Sequence, residues 1–196
     1  MRANSRHVLL VGAFLLAAPS AQAHMMPQQT VTLNVRGSAA FVALSIPVSA
    51  LRDWDRNGDG RMTRQELAAS QAAVRRQLDA GIVVRAGRDA GRRDLILPNV
   101  ELDEGDSLAV RGGTHLLVLV RQSFTAAPVD VTLRLSLFGA NAAERRFIVK
   151  ATATGMPEVA ILTPNDSSHA FFRPIPALVA RWIAALRSAL HFNRFA

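Results

Sequence analysis

Asp55-Arg56-Asn57-Gly58-Asp59-Gly60-Arg61-Met62-Thr63-Arg64-Gln65-Glu66 is the stretch around which the chain is organised. A hard cation takes six to eight oxygens in a flexible geometry. This stretch offers side-chain oxygens at its first, third and fifth positions, Asp55, Asn57 and Asp59. Gly60 stands sixth, where a sharp turn is needed and glycine makes it at little steric cost. Arg61, seventh, would contribute its backbone carbonyl. Met62, eighth, is apolar and can anchor the loop on a core. Thr63, ninth, would act directly or through a water, and Glu66, twelfth, can close the site with both carboxylate oxygens. A second frame beginning at Asp53 ends on Arg64, a cation that cannot ligate a metal, and is rejected.

In these positions the stretch resembles the calcium loop of the EF-hand superfamily. The resemblance implies Ca²⁺ rather than Mg²⁺, because many protein oxygens are supplied. Its ligands would be Asp55, Asn57, Asp59, Arg61 through the carbonyl, Thr63 and Glu66. The alternative is an Asp/Asn/Gly-rich turn that binds nothing, but such a turn has no need of a glutamate at this distance with a helix start behind it. Three carboxylates beside Arg56, Arg61 and Arg64 predict weak affinity, roughly 10⁻⁵ to 10⁻³ M. The ion is then either structural or a signal. No second loop is present, so the sequence leaves two possibilities: the rest of the domain supports this loop, or two chains pair.

Working outward, Pro47 opens a short helical stretch expected over 48–54, with Trp54 placed to meet the helix that leaves the loop. Thr63 and Glu66 form a capping box for that second helix, expected over 64–80. Leu67, Val74 and Leu78, with Ala68 and Ala72, give it an apolar stripe, and Gly81 is its natural stop. Ahead of the loop, residues 31–36 alternate apolar and polar as a half-buried strand does, and 40–46 is a second strand with two fairly apolar faces. After it the period is two. Residues 82–85 form a short strand. Leu95, Leu97 and Leu102 flank Pro98, which marks an edge or interrupted strand. Residues 101–106 make an acidic turn. The run 116–120 reads as a central buried strand, 131–137 alternates cleanly, and 147–151 and 159–162 follow. About eight strands between turns predict a mainly β chain, a β-sandwich carrying the helix-loop-helix as an insert over about 47–80.

The first 23 residues read as a cleavable signal peptide. Arg2 and Arg6 precede an apolar run over 8–18, and Ala21-Gln22-Ala23 is a small-x-small cleavage site. The mature chain would begin at His24 in the periplasm or outside the cell. Two of the 23 basic residues and none of the 15 acidic ones fall in the removed segment, so the mature net charge is +6. The basic residues are nearly all Arg, spread along the chain without aromatic interleaving, which argues against nucleic-acid binding. With no cysteine, disulfides and thiolate chemistry are excluded. His24 with Met25 and Met26 is a set able to hold copper, or else a simple leader. His115, His169 and His191 show no ligand spacing. Ser123, Ser136, Ser167 and Ser168 lie in no nucleophile elbow, and no glycine-rich phosphate loop exists. No catalysis is expected.

The mature chain therefore divides into a domain over 24–174 and a tail over 175–196. In the tail, Leu178, Val179, Trp182, Ile183, Leu186 and Leu190 recur at helical spacing, with Arg181 opposite and Arg187 and Arg194 at the margin. Such a basic amphipathic helix can lie on an anionic membrane surface, dock on a membrane-protein partner, or fold back on its own domain. An accessory subunit docking on a transporter is thus the second functional reading.

The wider pattern is similar to the extracytoplasmic N-terminal domain of HupE/UreJ-type membrane proteins, a family associated with nickel or cobalt transport. The resembling features are the exported strand pair, the loop 55–66 running into Leu67, the stretch 131–138, Arg145-Arg146-Phe147, and the succession 159–164. In that family a polytopic membrane domain follows; the sequence here ends at Ala196. The resemblance carries over no transport residue and implies a stand-alone or truncated form of the soluble domain.

Overall fold

A computed structural model describes residues 29–101 and 112–173. The expected signal peptide and His24, most of the acidic turn and the whole amphipathic tail lie outside the described residues. Within them the chain is mainly β. Nine strands run β1 (Thr30–Arg36), β2 (Ala39–Pro47), β3 (Ile82–Arg85), β4 (Arg92–Glu101), β5 (His115–Ser123), β6 (Val131–Leu135), β7 (Phe147–Ala153), β8 (Met156–Leu162) and β9 (Ser168–Phe171). One α-helix, α1 (Arg64–Gly81), stands between β2 and β3. The strands form two sheets. Six are ordered β4-β5-β2-β1-β7-β8 and three are ordered β3-β6-β9. All pairings are antiparallel except β1 with β7, where Thr32 stands opposite Lys150.

Alternation explains the inner face of the larger sheet. Val42, Leu44, Val118, Val120, Val149 and Leu162 are buried at one parity. They share a single hydrophobic cluster with Val84, Leu133 and Phe171 of the smaller sheet, Val74 and Leu78 of α1, and Trp54 and Met62 from the β2–α1 connection. Both ends of that connection are therefore rooted in the core.

Several expectations need correction. The helical stretch over 48–54 is only a single 3-10 turn, Val48–Ala50; Leu51 is already extended and Asp53 takes a positive φ of 60°. The buried Trp54 indole donates to the carbonyls of Val48 and Leu51 at 3.1 and 3.2 Å, bonds that amides of a continuing helix would otherwise supply. On α1, Ala68 and Ala72 are exposed, and Ser70 is buried in their place with its hydroxyl on the Glu66 carbonyl at 2.6 Å. Gly81 ends the helix for a packing reason. A Cβ there would meet Leu137 Cγ at 2.4 Å, so the missing side chain lets helix and loop touch. The run 116–120 is buried on one face only, with Leu119 42 % exposed. Strand β9 carries no readable signal, because Ser168-His169-Ala170-Phe171 is too short and too polar to show a period. Pro98 sits in β4, an edge strand, as its missing N–H requires.

Candidate metal-binding loop

The loop begins where β2 ends and is held at three places. On the way in, Gln77 of α1 clamps Arg52 from both sides. Its Oε1 accepts from the Arg52 N–H at 2.8 Å, and its Nε2 donates to the Arg52 carbonyl at 2.9 Å. On the way out, Thr63 caps α1. Its Oγ1 accepts from the Glu66 N–H at 3.1 Å, while Glu66 Oε2 accepts from the Thr63 N–H at 2.9 Å, closing the expected capping box. Between these, Met62 is fully buried and forms a two-way bridge with Gly113. The Met62 N–H donates to the Gly113 carbonyl at 2.8 Å, and the Gly113 N–H donates back at 2.9 Å.

Gly113 thus supports the loop from within this chain. Met62 thereby has both of its backbone groups paired within the chain. The fit depends on two glycines. A Cβ on Gly113 would lie 1.8 Å from the Glu101 carbonyl oxygen, and one on Gly112 would lie 2.7 Å from the Met62 backbone. The Arg61 guanidinium also reaches this segment, donating to the Gly112 carbonyl at 2.9 Å. Sequence reasoning singles out neither Gln77 nor Gly112-Gly113. A Gly-Gly pair just before an apolar strand is the available signal for the second.

Residues 55–60 are exposed and wound by their own side chains. Gly58 and Gly60 take φ of 75° and 69°, the left-handed region glycine enters without strain. Asp55 lies at the centre of this winding. Its two carboxylate oxygens accept from the Gly58 N–H at 2.7 Å and the Gly60 N–H at 2.9 Å. Asn57 Oδ1 accepts from the Asp59 N–H at 3.0 Å, and Asp59 Oδ1 accepts from the Arg61 N–H at 2.8 Å. Asn57 Nδ2 donates to Asp59 Oδ2 at 3.0 Å, which holds the third and fifth positions side by side. Among the described residues no three His, Asp or Glu side chains converge as a metal-holding group. The carboxylates of Asp55, Asp59 and Glu66 turn instead to amides and a hydroxyl of their own loop and cap. An ionised carboxylate has about four acceptor sites, so these bonds orient the oxygens without using them up. The donor set is all oxygen and suits a hard cation.

Elsewhere, His115 is buried at the start of β5, with Nε2 against Gln29 Nε2 at 2.8 Å and Nδ1 against Thr114 Oγ1 at 3.1 Å. Ser45 donates to Glu101 at 2.5 Å, and Ser49 donates to Glu144 at 2.7 Å. The histidine takes neither hydroxyl. No helix among the described residues is long and apolar enough to cross a membrane. No protein-family model matches the chain, and no curated protein matches it.

Proposed function

We propose that the chain is an exported calcium-binding protein whose two sheets close as a sandwich and carry a single EF-hand loop. The cation would be held by oxygens of Asp55, Asn57, Asp59, the Arg61 carbonyl, Thr63 and Glu66. The observation that carries this reading is the winding of 55–60: two left-handed glycines and an aspartate that gathers their amides place the side-chain oxygens of alternate residues on one short turn. Sharing of one core by both sheets supports the sandwich.

The loop is already supported by Gln77, Gly113 and the α1 cap, so little chain has to be ordered when the ion binds. That favours a structural ion over a switch, since a sensor needs an element with two arrangements. When bound, the ion would stabilise the fold by mass action, about 2.7 kcal/mol at a free concentration a hundredfold above Kd.

The test is calorimetric titration of the chelator-stripped mature chain with Ca²⁺ beside a Glu66→Gln variant. Binding in the range roughly 10⁻⁵ to 10⁻³ M, abolished or weakened at least tenfold by Glu66→Gln, is expected. No heat and no thermal shift in the parent would reduce the loop to a turn.

A further inference from the structure

Seven of the nine large hydrophobic side chains exposed on the described residues lie on one surface, the outer face of the six-stranded sheet: Phe41, Leu95, Leu97, Leu119, Ile148, Val159 and Ile161. The register places them together. Leu97 stands opposite Leu119, Leu119 opposite Ala43, and Ile148 opposite Ile161. On the β4-β5-β2 half is a concavity of about 370 Å³ walled by Phe41, Leu95 and Leu119 together with Thr32, Asn34 and Arg121. The apolar side chains fall in two groups, Phe41, Leu95, Leu97 and Leu119 on β2, β4 and β5 and Ile148, Val159 and Ile161 on β7 and β8, with Thr32, Asn34 and Lys150 on the same face between them; exposed apolar clusters rimmed by polar residues mark interaction sites. The face is also two-sided in sequence: β5 is apolar at both parities through Leu116-Leu117-Val118-Leu119-Val120, which a strand facing water on one side does not need.

We propose that this face is covered by the chain's own tail, with the stripe Leu178, Trp182, Ile183 and Leu186 laid across it. Three observations select that occupant. The described chain ends beside an edge of this sheet: the Phe172 N–H donates to Glu158 of the edge strand β8 at 2.8 Å, and because Glu158 stands at the inner parity of β8 the tail has to pass round that edge to reach the outer face. The reach suffices, because the six residues from Phe172 to Leu178 can span up to about 20 Å when extended. The dimensions match, since thirteen residues over 178–190 would make a helix about 20 Å long and six strands are about 24 Å across. Tethering raises the tail's local concentration to about the millimolar range, above what a free partner attains. Of its arginines, Arg181 lies opposite the stripe and Arg187 and Arg194 at its margin. On the sheet, the face carries two cations, Lys150 and Arg121, the latter paired with Asp94 at 3.5 Å and lying over the Phe41 ring.

Trp182 reports on this directly. The only other tryptophan, Trp54, is 4 % exposed, so iodide-quenchable emission of the mature chain belongs to Trp182, with Trp182→Phe as the blank. The expected result is Trp182 shielded from iodide in a species of one-chain mass, independent of dilution. Shielding should be lost, with quenching rising several-fold, in Leu119→Asp and in Leu186→Asp. The second variant touches only the tail and keeps the test valid if the first disturbs the sheet. Free quenching in the parent overturns the proposal. So does shielding that appears only at a doubled mass, the sign of a second copy, or only with anionic phosphatidylglycerol vesicles, the sign of a membrane-bound tail.

Discussion

Truncating Met62 to alanine tests how the loop is anchored. The side chain is fully buried and belongs to the shared core, although it sits between loop residues that face water. Removing a buried Met side chain costs about 2–5 kcal/mol, part lost transfer energy and part cavity. The lower half is expected here, because a loop can collapse into a cavity more readily than a strand can. A chain of this size shifts in Tm by about 2–4 °C per kcal/mol, so Met62→Ala should melt about 5–10 °C below the parent. Met62→Leu keeps the volume and should cost less than about 1.5 kcal/mol. The backbone bridge to Gly113 uses no side-chain atom and survives the substitution. The loss should therefore be the same in chelator and in saturating Ca²⁺, read by urea denaturation under both conditions. A cost below about 1 kcal/mol would refute the anchoring argument. A cost present only in Ca²⁺ would show that Met62 packs into the core only when the ion is bound.

Gly81→Ala sets two effects against each other. Alanine gains about 1 kcal/mol of helix propensity over glycine, but its Cβ falls 2.4 Å from Leu137 Cγ in a buried contact, and overpacking costs about 1–3 kcal/mol. Net destabilisation is expected, relieved by Leu137→Val in the double variant; a more stable single variant would refute the close-packing reading. Glu144 supplies the pH test. Burial works to raise its carboxyl, but hydrogen bonds from the Ser49 hydroxyl and from the Asn141 side chain and backbone outweigh it and hold the group below its ordinary 4.5. A depressed folded value means that its contribution is complete above pH 4.5 and lost as pH falls through the folded value. Stability measured stepwise below that pH should fall less steeply in Glu144→Gln than in the parent; identical slopes would remove Glu144 from the acid response.

Where a local rule acts alone, the sequence is enough. The capping box at Thr63 and Glu66, the exit helix, the edge strand marked by Pro98 and the alternation of β6 all follow from side chains within a few residues of one another. The failures share a different origin. The stretch 48–54 carries helix-compatible residues, yet its carbonyls are taken by the Trp54 indole and its Arg52 amide by Gln77, a residue 25 positions away. Ala68 and Ala72 have the right spacing for the stripe, but alanine is small enough to be left outside when Ser70 satisfies its hydroxyl on the helix backbone. The role of Gly81 is legible as a helix end and illegible as a contact, since Leu137 lies in a distant loop.

The same distinction bears on the candidate site. Its proposed ligand positions sit within twelve consecutive residues, whereas its supports come from elsewhere: Gln77 from one turn before the end of α1, Gly113 from just ahead of β5. An isolated loop of this composition would have to order several exposed residues as it closed on a cation, at about 1–2 kcal/mol of backbone entropy each. In the folded chain much of that cost is met in advance by Asp55, by the two left-handed glycines and by the bridge at Met62. On the proposed reading, a loop braced in this way would bind without a partner loop and would have little freedom to transmit binding elsewhere. Any influence of Ca²⁺ beyond stability should therefore be confined to α1 and the start of β5, the two places the loop touches. Hydrogen exchange with and without the ion is the measurement that checks this: slowing is expected in the first turn of α1 and at Gly113, and protection extending into β7 or β9 would show coupling that these contacts do not provide.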